Sequence, residues 1–257
     1  MDTLAIQLPW ETAIAGAALS IRALAFVSIA PLVGGSGVPV RLRVAFAVML
    51  VLLLAPVVPA PDPDVGLLRL VLTESLVGFL LGFAGRMVID AALYAGGVAS
   101  YSSGLAIANQ LDPITQLNLP MLGVLYRLLG ILTFLAIGGH RQFVAVLARS
   151  YTLLPVGTAS LEGPWVASAI SLTGRMIVLG VRLAAPVIVS GLLVDTALML
   201  VARAVPQMHI LVVGAPIRLG FGLLAVGLSL QILLPLIVES IDGSMTDAGA
   251  LLRALGG

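Results

Sequence analysis

The sequence has no cysteine, no lysine and few charges of either sign. Without cysteine there can be no disulfide framework, no thiolate metal site and no cysteine nucleophile. Charged residues make up 10% of the chain, against about 25% in soluble domains, too few to coat a water-facing globule. Thirteen basic residues, all arginine, balance twelve acids. No stretch gathers enough of them to neutralise a run of phosphates, so a nucleic-acid partner is not expected. Metalloprotease, phosphate-loop, nucleophile-elbow and dinucleotide motifs are missing too. That argues against an intramembrane enzyme and against any cofactor or bound metal.

What the chain does have is apolar length. Hydrophobic residues are 60% of the total and the mean hydropathy is +1.16, which excludes disorder and points to a polytopic membrane protein or a subunit buried in an assembly. The N-terminus, with Asp2 and Glu11, lacks the basic region of a secretory signal. The first apolar segment is therefore expected to remain in the mature protein.

The apolar segments are Thr12–Ala30, Val44–Ala60, Val65–Ala108, Leu119–Gly138, Pro164–Ala202 and Ala215–Val238, with a short tail, Glu239–Gly257, after them. A bilayer crossing takes about 20 apolar residues. At 1.5 Å per residue, the roughly 44 residues of Val65–Ala108 would reach roughly 66 Å as one helix. Either this segment folds back, near Gly82–Arg86, or it extends beyond lipid inside a protein assembly. Pro164–Ala202 poses the same question, with Pro186 as the expected kink. Arg41 and Arg43 follow the first segment and Asp62 and Asp64 the second. The positive-inside bias then puts the first loop in the cytoplasm and the N-terminus outside. If both long segments count as two spans each, His140–Arg149 and Arg203–Arg218 fall inside as well.

Charges within apolar segments are functional candidates: Arg22, Glu74, Arg86, Asp90 and Asp195. Arg86 and Asp90 are four apart, share a helix face and are expected to neutralise each other. Arg69 and Glu74 are five apart, so Glu74 is expected to contact another segment or subunit, and Asp195 also needs a distant partner. Glu74, Asp90 and Asp195 together would suit a proton-coupled secondary transporter, the alternative reading. His140 follows two glycines at a segment end, which fits a helix-cap or interface role better than metal binding. The Gly78/Gly82 pair lets helices approach closely but is common in apolar helices.

The polar stretch Asn109, Gln110, Leu111, Asp112, Pro113, Ile114, Thr115, Gln116, Leu117 and Asn118 interrupts two long apolar runs. It reads either as a plain extramembrane loop or as irregular backbone lining an aqueous cavity.

Several short blocks, in order, resemble the FliR/SctT family of flagellar and type III secretion export gates. They are Arg22-Ala23-Leu24, Ala30-Pro31-Leu32, Val38-Pro39 with Arg41 and Arg43, Gly104-Leu105-Ala106, and Asp112-Pro113 with Leu117-Asn118-Leu119-Pro120. Gly138-Gly139-His140, Leu154-Pro155-Val156-Gly157, Arg203, Pro206-Gln207 and Gly214-Ala215-Pro216 follow. His209 and Asp195 depart from the family pattern, and the flagellar branch fits better than the injectisome branch. The resemblance implies a single, non-enzymatic export-gate membrane domain over residues 1–257, in the bacterial inner membrane at the flagellar basal body. It implies an all-α polytopic membrane protein of long, kinked helical hairpins packed in a helical channel assembly through which unfolded flagellar or injectisome proteins cross. Its implied partners are companion subunits of the FliP and FliQ types, an FlhB-type subunit, unfolded export substrates and membrane lipid. By the same resemblance Asn109–Asn118 is a channel-facing plug, and His140, Arg203, Pro206 and Gln207 are subunit-contact candidates.

Overall fold

The structure is a computed structural model that describes residues 10–35, 37–56, 58, 66–105, 120–205 and 210–256. Among these residues all regular structure is helical. The elements are α1 (Trp10–Ile29), α2 (Val40–Leu54), α3 (Leu67–Ser102), α4 (Met121–Ala136), α5 (Gly139–Leu153), α6 (Trp165–Ala204) and α7 (Ile210–Gly256). Three of them, α3, α6 and most of α7, are long and apolar enough to cross a membrane, and α4 with α5 makes a fourth if the pair is counted as one span. Helix is the form expected of apolar chain in lipid, since it satisfies its own backbone polar groups.

The fold-back considered near Gly82–Arg86 does not occur, because α3 is one helix of 36 residues. Its glycines serve close packing rather than a turn: a side chain on Gly82 would run into the Phe26 carbonyl of α1. Pro186 lies inside α6 without ending it, as do Pro216 and Pro235 in α7. Two further expectations need correcting. His140–Arg149 is not a loop but lies within α5, which buries Phe143, Leu147, Ser150 and Tyr151 at helical spacing. Glu239–Gly257 is not a tail, since α7 continues through it to Gly256 and buries Ile241, Ala248, Leu251, Leu252 and Leu255 on one face.

The chain divides into two compact units. The first comprises Met1–Arg86, Gly138–Leu172 and Gly243–Gly257. Its core is Leu19, Ala23, Phe26 and Val27 of α1 with Val77 and Leu81 of α3, Phe143 and Leu147 of α5, and Leu251 and Leu255 of α7. Phe26 stacks on Phe143 with ring centroids 6.3 Å apart, and Ser160 donates its backbone N–H to the Leu255 carbonyl at 2.8 Å. The second unit comprises Met87–Ile137 and Thr173–Asp242. Here α3 presents Ala91, Ala92, Ala95 and Ala99, all buried, and Gly96 lies against the Leu122 carbonyl of α4. Tyr126 of α4 and Ser229 of α7 share a buried hydrogen bond of 3.0 Å.

Candidate functional site

The most organised polar cluster lies in the first unit, around Arg22. Beyond Glu11 the α1 segment carries one charge, Arg22, and in so apolar a helix that cation must find partners inside the protein. Arg22 is fully buried, as is Glu74 on α3. Two bonds join them side by side, Nε to Oε2 at 2.6 Å and Nη2 to Oε1 at 3.0 Å. Such a fork exploits the planar match of guanidinium and carboxylate. Nη1 donates to the Ser150 hydroxyl at 3.1 Å and to the Leu154 carbonyl at 3.2 Å. Nη2 also donates to the Leu154 carbonyl at 3.2 Å. All five N–H groups of the guanidinium are thus used.

The surroundings close over this pair. The Arg22 guanidinium carbon stands 4.3 Å from the centre of the Tyr151 ring, a cation–π contact. The Tyr151 hydroxyl donates to the Leu19 carbonyl at 3.4 Å. Gly157, with φ of +79°, turns its backbone N–H onto Glu74 Oε1 at 3.0 Å, a conformation that glycine adopts without a Cβ penalty. The approach of α3 to α1 depends on Gly78, one turn beyond Glu74. A Cβ there would meet the Arg22 carbonyl and lie 3.0 Å from the Phe26 backbone nitrogen. Two sequence blocks noted separately, Arg22-Ala23-Leu24 and Leu154-Pro155-Val156-Gly157, therefore meet at one point.

Every guanidinium donor of Arg22 has an acceptor, and Glu74 accepts from Arg22 and from the Gly157 N–H in a site closed to solvent. The cluster acts as a clamp that fixes α1, α3, the end of α5 and the turn after it. Ser150, Tyr151 and the Gly157 N–H were not legible as its members. Only the motif character of Leu154–Gly157 hinted at them.

The other candidates fall as follows. In the second unit Asp195 of α6 pairs with Arg218 of α7, and both side chains remain about one-third exposed. Arg86 reaches the Gly34 carbonyl at 3.4 Å, and Asp90 lies one turn further along α3, half-buried. His140 is exposed in the first turn of α5, after Gly138 with φ of +72°. Arg203 is exposed in the last turn of α6. Asn109–Asn118, Pro206, Gln207 and His209 lie outside the described residues.

The sequence matches the family described as Bacterial export proteins, family 1, over residues 13–244. The chain belongs to that family. Among relatives of this export family, it is 34% identical to flagellar biosynthetic protein FliR of Escherichia coli (strain K12), over 84% of this chain and 83% of the relative. It is 33% identical to the FliR protein of Caulobacter vibrioides, over 81% of this chain and 86% of that one. The FliR protein of Bacillus subtilis (strain 168) is 30% identical over 77% and 79%. The chain is accordingly a component of the flagellar type III export apparatus, a multi-pass protein of the inner membrane at the basal body. Family membership favours protein export over a proton-coupled transporter.

Proposed function

We propose that the chain is a non-enzymatic wall subunit of the export gate, joined to companions of the FliP and FliQ types and to an FlhB-type subunit. Unfolded export substrates pass beside it. The observation that carries this reading is helix length. At 1.5 Å per residue, the 36, 40 and 47 residues of α3, α6 and α7 make helices of roughly 54, 60 and 70 Å, against about 30 Å of hydrocarbon. Along α6 and α7 large apolar side chains stay bare, among them Leu192, Leu193, Leu200, Phe221, Leu224 and Leu228, each more than half exposed. Lipid cannot cover such lengths, so neighbouring subunits must.

In this reading Asn109–Asn118 is the channel plug. Leu111, Ile114 and Leu117 fill the lumen, Asp112-Pro113 sets the turn, and the amides satisfy backbone or water. A plug of irregular chain can swing aside without breaking helix hydrogen bonds. His140, Arg203, Pro206 and Gln207 are the proposed subunit contacts. His140 and Arg203 support this by their exposure at helix ends.

Two measurements test the proposal. Purification in mild detergent should recover the two companion proteins in a defined complex, and expression without them should give aggregation or degradation. A monodisperse, heat-resistant monomer would count against the wall reading. Deleting Leu111–Gln116 should leave the complex assembled but raise membrane conductance, with export surviving in part. Unchanged permeability in an assembled complex would make the segment an ordinary connector.

A further inference from the structure

In the second unit the end of α3 is gripped from two sides. Gly191 and Asp195 are four residues apart on one face of α6, and Arg218 and Gly222 are four apart on one face of α7. Both glycines meet the residues with which α3 ends. A Cβ on Gly191 would stand 2.8 Å from the Ser102 carbonyl oxygen, and one on Gly222 would run into the Ser103 side chain. At the same level the Ser190 hydroxyl donates to the Phe221 carbonyl at 3.4 Å, tying α6 to α7.

The two charges complete this seat. Asp195 and Arg218 pair across the helices with side chains about one-third exposed. The Arg218 methylenes lie against Gly104, where the chain leaves α3 with φ of +79°. A Cβ on Gly104 would be 3.2 Å from Arg218 Cδ, so glycine is needed there both for its conformation and for space. The next atom along, Nε, is buried and has no acceptor among the described residues. Held at its tip by Asp195, the guanidinium keeps its stem on Gly104. Freed from Asp195, it would regain the rotamer freedom of a long side chain. On the other flank the Leu122 N–H donates to the Ser100 hydroxyl at 3.2 Å, and a Cβ on Gly97 would touch Pro120. Both flanks of residues 106–119 are thus anchored, the Gly104 flank by way of a charge pair. A pair this near solvent contributes little to stability, so its place matters more than its strength.

We propose that Arg218, held by Asp195, is a positioning residue of the export channel. It sets the direction in which the chain leaves α3 at Gly104, and with it the resting position of the segment that follows. Its bearing on the channel rests on the reading of Asn109–Asn118 as the plug.

The test uses the complex of this chain with its companion subunits and exploits the absence of cysteine from the chain. Leu111→Cys reports the exposure of the segment through its rate of maleimide labelling. Leu161→Cys, at an exposed position of the first unit, is the control. Asp195→Asn should speed labelling of Leu111→Cys about five-fold, the upper value for a pair this near solvent. It should leave the control rate and the yield of complex unchanged. Asp195→Glu should keep the parental rate. Exchanging the charges, Asp195→Arg with Arg218→Asp, should restore the ion pair but not the parental rate, because no methylenes then lie on Gly104. An unchanged rate in Asp195→Asn overturns the proposal. So does a parental rate after the charge exchange, which would reduce the pair to a tie between α6 and α7. Failure of Asp195→Asn to assemble also overturns it, since the pair would then be a requirement of folding. Membrane conductance separates this from the plug reading. Faster labelling with unchanged conductance supports the positioning role and sinks the plug. A leak on deleting Leu111–Gln116, with labelling unchanged in Asp195→Asn, does the reverse.

Discussion

A guanidinium offers five N–H donors in one plane, and at Arg22 each finds an acceptor on Glu74, Ser150 or Leu154. Removing one partner from such a buried pair strands the other charge, at a cost of about 3–5 kcal/mol, whereas replacing both by apolar groups is near neutral. Glu74→Gln and Arg22→Met should each lower the unfolding temperature and the yield of assembled complex sharply. The double variant Arg22→Met with Glu74→Leu should recover most of the loss. Thermal unfolding in detergent measures this, and additive single losses would show that the two side chains are not energetically coupled. Asp195 and Arg218 are about one-third exposed, so breaking that pair should cost less, in line with about 0–1 kcal/mol for pairs near solvent.

Helices reach the clamp only if α1 and α3 come close, and Gly78 permits that. A methyl group there would press on the Arg22 carbonyl and stand 2.9 Å from the Ala25 Cβ. Overpacking of this kind costs about 1–3 kcal/mol, so Gly78→Ala should destabilise the first unit and Gly78→Leu should prevent its assembly. Gly174, on α6, has open space around it. Gly174→Ala should be neutral or gain up to about 1 kcal/mol, the helical advantage of alanine. Paired unfolding curves decide between these. Equal effects at both positions would mean that propensity rather than contact sets the cost. The Gly78/Gly82 spacing was visible in the sequence, but the pattern recurs in many apolar helices. What the two glycines face, the carbonyl oxygens of Arg22 and Phe26, is set only by the packing of α1 on α3.

Over the whole molecule, the C-terminal stretch returns to the first unit. Gly243–Gly257 belongs there by its contacts, and it buries Ala248, Leu251, Leu252 and Leu255. The Leu255 carbonyl accepts from Ser160, three residues after the clamp turn ends at Gly157. Each buried leucine contributes about 1.5–3 kcal/mol, so ending the chain after Asp242 should loosen the first unit and leave the second, which ends at that residue. Limited proteolysis of the truncated chain should cut within residues 154–164 much faster than in the full chain, with α4 still protected. Unchanged cleavage there would mean that the C-terminal stretch stabilises nothing in the first unit.

Composition and the order of short blocks determined that this is an all-α membrane protein of the export family, and segment length determined that its helices outreach lipid. Those properties are local or additive: apolar runs form helices, and a run's residue count sets its length whatever it packs against. Even so, the amphipathic spacing within Glu239–Gly257 was masked by its acidic residues, and α5 by its polar ones. The pairing of Arg22 with Glu74, and of Asp195 with Arg218, was decided only in three dimensions. Partners 52 and 23 residues apart leave no periodic trace in the sequence. A buried charge states that it needs a counter-charge, but helix packing chooses which one. The same holds for Gly157, whose positive φ aims a backbone N–H that every non-proline residue carries and no sequence pattern reveals.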